Sequence, residues 1–143
     1  MIYEYARHAG ERLVLDTNTL ISHLLIPGGI PAQAVRKNLR YGQIIASDAT
    51  LRELAEVIAG PKFDRYLSIE DRQQFFRLFG RIVELVPIIR NIQVCRDARD
   101  DKFLELAVNG RATTIITGDQ DLLILNPYQS IQIIAPGQYI KGM

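Results

Sequence analysis

Two short apolar runs each end in an aspartate, and this feature constrains the fold more than any other. The first run is Leu13-Val14-Leu15 before Asp16, and the second is Ile115-Ile116-Thr117-Gly118 before Asp119. Continuous apolar runs of this length are typical of strands that are covered on both faces in a parallel sheet. In open α/β sheets, ligands bind at the carboxyl ends of the strands. We therefore expect the two aspartates to lie in one crevice.

The rest of the chain alternates between helix and strand signals. Ser47 and Ser68 are good N-caps, and Gly42, Gly60 and Gly110 stand where helical patterns end. The patterns predict helices over residues 17–25, 31–41, 48–58, 68–83 and 101–109, and strands over 43–46, 113–117 and 131–134, with weaker strand signals at 84–87 and 93–95. Strands separated by helices indicate an α/β fold with a mostly parallel central sheet and helices on both faces.

Length and composition fit one small globular domain. The chain has 143 residues, of which 48% are hydrophobic and 23% are charged. A net charge of +1 gives no overall attraction to nucleic acid, so such binding has to come from local patches. Cys95 is the one cysteine, which excludes an internal disulfide and a cysteine-rich zinc site. No signal peptide or membrane-spanning run is recognisable, so a cytoplasmic location is predicted.

Further carboxylates accompany the two strand ends. Glu53 lies in the predicted helix 48–58, and the run from Asp97 to Asp101 contains three aspartates. No matching set of histidines or cysteines is present among the two histidines and one cysteine. Carboxylates without soft ligands suit a hard divalent cation, above all magnesium or manganese. The pattern therefore indicates metal-assisted chemistry on phosphate.

Each acid also has a purely structural explanation. Asp16 precedes a helix and could be its N-cap, and Asp119 could cap the turn that follows it. Glu53 borders the apolar side of its helix. Asp101 and Glu105 stand away from the apolar side of the helix 101–109, as residues of a solvated face do. No single acid therefore identifies a site.

Four segments together carry a resemblance to a known family. They are LVLDTN at 13–18, LREL at 51–54, DDKFLELA at 100–107 and ITGDQDLL at 116–123. In this order and at these separations they resemble the PIN-domain ribonucleases, in particular the bacterial subgroup described as toxins of toxin–antitoxin pairs. The resemblance runs from about residue 12 to 139. It implies a PIN-like nuclease domain over 12–143 that follows an N-terminal extension over 1–11.

The resemblance also implies a site. Four catalytic acids are implied at Asp16, Glu53, Asp101 and Asp119, around one or two Mg²⁺ or Mn²⁺ ions. Asp16, Asp101 and Asp119 are expected to bind the metal, while Glu53 acts through water or orients the nucleophile. Asp100 could exchange roles with Asp101, and the neighbouring Asp97 and Asp121 could support the site.

The implied function is a divalent-metal-dependent endoribonuclease, the toxin of a toxin–antitoxin pair, with RNA as its substrate and an antitoxin as its partner. The helix 68–83 carries Phe75, Phe76 and Phe79, which could serve that partner, form a homodimer, or pack within the domain. The alternative is a catalytically silent PIN-fold module that binds RNA or protein. A haloacid-dehalogenase-type phosphatase is disfavoured because Asn18 stands where it needs a second aspartate.

Overall fold

The computed structural model describes residues 11–141, apart from the side chains at positions 31, 38, 39 and 41. This part of the chain contains five strands: β1 (Glu11–Leu15), β2 (Gly42–Ala46), β3 (Glu84–Leu85), β4 (Thr114–Ile116) and β5 (Gln132–Ile134). Seven helices cover them: α1 (Thr17–Leu25), α2 (Ile30–Tyr41), α3 (Asp48–Ile58), α4 (Ile69–Ile82), α5 (Asp101–Asn109), α6 (Gln120–Leu123) and α7 (Pro136–Lys141).

The strand order of the sheet is β3-β2-β1-β4-β5, and every neighbouring pair is parallel. Strands β2 and β3 are added on one side of β1, and β4 and β5 on its other side. The strand order therefore reverses between β1 and β4, and a crevice forms at the carboxyl ends of these two strands. The predicted single α/β domain with a parallel central sheet is confirmed.

Alternate residues of each strand pack on opposite faces of the sheet. Leu13 and Leu15 belong to a core with side chains from α1, α2, α3, α4 and α7. Val14 points to the other face and belongs to a second core, which is built largely on α5 through Phe103 and Leu106. Because both faces are covered by helices, the strands are apolar on both sides, as their sequences predicted.

Local signals set most of the element ends. The Ser47 and Ser68 side chains accept hydrogen bonds from the backbones of Thr50 and Asp71, which makes them the N-caps of α3 and α4. Residues 93–95, a weak strand signal, form no strand, and α7 was not predicted. The first ten residues lie outside the described part, so the boundary between extension and domain stays a prediction.

None of the described helices has the length and apolar character needed to cross a bilayer.

Candidate functional site

A polar pocket of about 210 Å³ lies at the carboxyl edge of the sheet, where β1 and β4 end. The predicted residues Asp16, Glu53 and Asp119 line it together. Asp101, the fourth predicted residue, is not among the lining residues, whereas its neighbour Asp100 is. The remaining lining residues are Thr17, Asn18, Val57, Asp97, Arg99 and Phe103.

Asp16 has two functions in this structure. One carboxylate oxygen accepts a hydrogen bond from the Thr19 backbone N–H at 2.9 Å, which makes Asp16 the N-cap of α1. The other oxygen accepts from the Thr117 hydroxyl at 2.6 Å. The side chain is only 5% exposed and still lines the pocket, so its role as the N-cap does not exclude a role in the site. These contacts leave its orientation little freedom.

Asp119 is connected to Asp16 through Thr117. The Thr117 hydroxyl, which donates to Asp16, accepts a hydrogen bond from the Asp119 backbone N–H at 2.9 Å. One Asp119 carboxylate oxygen accepts from the Asp121 backbone N–H at 2.8 Å and caps α6. Gly118 has open space where a Cβ would stand, and its φ is not positive, so backbone strain gives no reason for glycine here.

Both carboxylate oxygens of Glu53 are occupied. One accepts a hydrogen bond from the Thr17 hydroxyl, and the other forms an ion pair with the Lys102 ammonium at 2.7 Å. The side chains of Lys102 and Glu53 are only 24% and 22% exposed, which reduces solvent screening of the pair. Glu53 lies in α3 and Lys102 in α5, so the pair joins helices from opposite faces of the sheet. The sequence reasoning missed Lys102, whose one signal is its position directly after two aspartates.

Asp100 and Asp101 are adjacent, but they have opposite environments. One Asp101 oxygen accepts backbone hydrogen bonds from Val94 at 3.1 Å and Cys95 at 2.8 Å. Burial raises the pKa of Asp101, but the hydrogen bonds from Cys95 and Val94 outweigh it, so that the pKa is lowered. Burial, together with the nearby Asp119 carboxylate, raises the pKa of Asp100 to about 7. One Asp100 carboxylate oxygen is buried without a hydrogen-bond partner.

Asp100 also belongs to a cluster of hard oxygen donors. Carboxylate oxygens of Asp97, Asp100 and Asp121 all lie within 4.8 Å of one another. Since Asp100 also lines the pocket with Asp16 and Asp119, it joins the cluster to the pocket. A divalent cation would neutralise this crowding and would give the unpartnered Asp100 oxygen a ligand. The donor set therefore fits Mg²⁺ or Mn²⁺ in its chemistry.

Two other features carry no catalytic signal. Burial, followed by the hydrogen bond to Asp101, raises the pKa of the Cys95 thiol to about 12, which argues against a nucleophilic role. A cavity of about 650 Å³ lies between α3 and α4, and none of its lining residues is acidic. Phe79 is buried in the core, while Phe75 and Phe76 are half-buried against it, so all three rings contribute to packing within the domain.

The chain belongs to the PIN domain family, whose model matches residues 12–121. It is 35% identical over 130 residues to the uncharacterised protein MJ1680 of Methanocaldococcus jannaschii, covering 86% of this chain and 82% of that protein. This relative is archaeal, so it does not identify the bacterial subgroup.

Two solved structures share the fold, and each comparison covers 87% of this chain and 98% of the other. One is VapBC2 from Rickettsia felis, bound to a DNA fragment from its promoter, with a TM-score of 0.62 and 12% identity. The other is VapBC-1 from nontypeable Haemophilus influenzae, with a TM-score of 0.57 and 18% identity.

The raised pKa of Asp100 predicts a pH-dependent stability of the metal-free protein. The folded protein holds this proton up to about pH 7, whereas an unfolded chain releases it near about pH 4. The stabilisation is therefore complete below about pH 4 and is lost as the pH rises through about 7. In EDTA, we expect the difference in melting temperature, Asp100→Asn minus wild type, to be larger at pH 8 than at pH 5. The reason is that wild-type Asp100 is charged at pH 8, and asparagine removes that charge.

The matched control is Asp71→Asn, because Asp71 is exposed on α4 and does not line the pocket. Its difference from wild type should be the same at both pH values. If the Asp100→Asn difference is also independent of pH, or is larger at pH 5, the proposed environment of Asp100 is wrong.

Proposed function

We propose that this protein is a divalent-metal-dependent endoribonuclease that hydrolyses RNA phosphodiester bonds. One observation carries the proposal: Asp16, Asp100 and Asp119 line a single pocket at the reversal point of the sheet, and Asp100 has a buried oxygen without a partner. Membership of the PIN domain family supports the reaction class. RNA as the substrate rests on the resemblance to PIN-domain ribonucleases.

The proposed metal ligands are Asp16, Asp100 and Asp119, with Mg²⁺ or Mn²⁺ as the ion. In this proposal Asp100 replaces Asp101, the residue that the resemblance implied, because Asp100 lines the pocket and Asp101 does not. Asp121 adds to the negative charge around Asp100, while the nearby Asp97 carboxylate is paired with the Arg99 guanidinium at 2.9 Å. Hard oxygen donors alone explain the preference for these ions over zinc or copper.

When bound, the ion supplies neutralisation of the scissile phosphate and an activated water for in-line attack. The residues of the chain hold this arrangement. Thr117 fixes the Asp16 carboxylate, and Lys102 together with Thr17 fixes Glu53. Because the charge of Glu53 is already paired with the Lys102 ammonium, this residue orients water in the proposal rather than binding the ion directly. Asn18, exposed at the pocket, donates a hydrogen bond to a substrate phosphate oxygen.

Purified protein and a mixed pool of single-stranded RNA test this function. We expect Mn²⁺ to support cleavage and EDTA to abolish it. Asp100→Asn and Asp119→Asn should each lower the rate by more than about 100-fold, since changes to groups that only support metal ligands already cost about 10–100-fold. Asp71→Asn should cleave like wild type. RNA binding without cleavage at saturating Mn²⁺ would instead indicate the silent module.

The same proposal extends to the biological role, a cytoplasmic toxin restrained by an antitoxin protein. Two of the solved structures that share the fold are VapBC2 and VapBC-1, and together with the resemblance to toxins of toxin–antitoxin pairs they support a protein partner. Self-association as a homodimer is a further element of the sequence-based hypothesis, and size-exclusion chromatography with light scattering tests it.

Expression in a bacterial host tests the toxin role. We expect the wild-type protein to arrest growth and Asp119→Asn to be harmless, with rescue of the wild type by the small gene encoded beside it. The toxin role is contradicted if the wild-type protein is harmless at high level or if Asp119→Asn is equally toxic. Neither result bears on the nuclease activity, which the cleavage assay tests separately.

A further inference from the structure

Helix α5 holds an extended segment of the chain along its polar side. The segment is residues 89–95, which we call the strap, and it belongs to no strand. The polar residues that contact it are Asp101, Glu105 and Asn109. Because they are spaced by four residues, they lie in one row along the helix. The strap runs antiparallel to α5, so that its first residues meet Asn109 and its last residues meet Asp101.

Three side chains hold the strap by its backbone. The Asn109 amide oxygen accepts from the Ile89 and Arg90 N–H groups, each at 2.9 Å, and its amide nitrogen donates to the Arg90 carbonyl at 2.9 Å. Glu105 accepts from the Ile92 N–H at 2.9 Å. Asp101 completes the row through its hydrogen bonds from Val94 and Cys95. The row therefore satisfies five backbone N–H groups outside any sheet.

Asp101 closes the loop that carries two acids of the candidate site. The loop runs from Cys95, whose N–H binds Asp101, to Asp101 itself at the start of α5. Between them stand Asp97 and Asp100. Asp97 stabilises the turn within this loop, because its carboxylate accepts from the Arg99 N–H and its carbonyl accepts from the Asp100 N–H. One carboxylate at the base of the loop thus ties its two ends together.

We propose that Asp101, Glu105 and Asn109 form a backbone clamp, and that Asp101 is a positioning residue which sets Asp97 and Asp100 for metal binding. The consequence for metal binding rests on the proposed function; the clamp itself does not. The backbone N–H groups of Val94 and Cys95 both donate to the same Asp101 oxygen, so the backbone of the chain fixes the orientation of this carboxylate. The polar side of α5 therefore binds the strap.

The choice of substitution separates a positioning residue from a ligand. In Asp101→Asn the amide oxygen still accepts from Val94 and Cys95, whereas Asp101→Ala removes the acceptor. A clamp needs the oxygen and not the charge, but a metal ligand needs the charge. We therefore expect Asp101→Asn to bind Mn²⁺ nearly as wild type does, and Asp101→Ala to bind it about 10–100-fold more weakly. Asp100→Asn serves as the reference for true ligand loss.

Amide hydrogen exchange of the metal-free protein provides the second readout. Asp101→Ala should accelerate exchange at Val94 and Cys95 by about tenfold or more, because both donors lose their acceptor. Asp101→Asn should leave this exchange near the wild-type rate. As a control farther along the row, Glu105→Gln should preserve, and Glu105→Ala should release, the Ile92 N–H.

The outcomes are distinguishable. If Asp101→Asn loses Mn²⁺ affinity as severely as Asp100→Asn, Asp101 is a ligand and the positioning role is wrong. Unchanged protection of Val94 and Cys95 in Asp101→Ala overturns the clamp. If Asp101→Ala is less stable, Asp101→Asn still tests the positioning role through its Mn²⁺ affinity, and Glu105→Ala tests the separate contact with the Ile92 N–H. Wild-type protein that binds no Mn²⁺ contradicts the proposed function, while the exchange experiment continues to test the clamp.

Discussion

The hydrogen bonds of Thr117 are the interaction on which the site depends. Its fully buried hydroxyl donates to Asp16 at the end of β1 and accepts from the Asp119 backbone just beyond β4. The two strands are neighbours because the sheet reverses its direction of growth between them. The Thr117 side chain thus connects the Asp16 carboxylate to the Asp119 backbone, although about a hundred residues of sequence separate the two acids.

Charge crowding is the second determinant of the site. Carboxylate oxygens of Asp97, Asp100 and Asp121 lie within 4.8 Å of one another, and like charges at such separations repel. Burial and the neighbouring Asp119 carboxylate raise the pKa of Asp100, which favours its protonated form, while the charge of Glu53 is paired with Lys102. A bound divalent cation would reduce the repulsion between these carboxylates, so the site favours such an ion.

The sheet, the caps at Ser47 and Ser68, and the meeting of Asp16 and Asp119 in one crevice could all be predicted from the sequence. Strand patterns and capping residues are local signals, which can be read from short stretches of the chain. It could not decide between Asp100 and Asp101, since both acids stand at one helix start. That choice depends on which side chain faces the backbone of residues 94 and 95. The Lys102 contact with Glu53 spans 49 positions and leaves no local pattern.

The central claim is that Asp16, Asp100 and Asp119 bind a catalytic divalent cation while Asp101 holds the backbone beside them. A crystal structure of the protein soaked in Mn²⁺, with anomalous diffraction data, tests it most directly. The account predicts an anomalous peak in contact with those three carboxylates, with Asp101 still bound to the Val94 and Cys95 N–H groups. A peak coordinated by Asp101 with those bonds broken, or no peak in the pocket at saturating Mn²⁺, would contradict it.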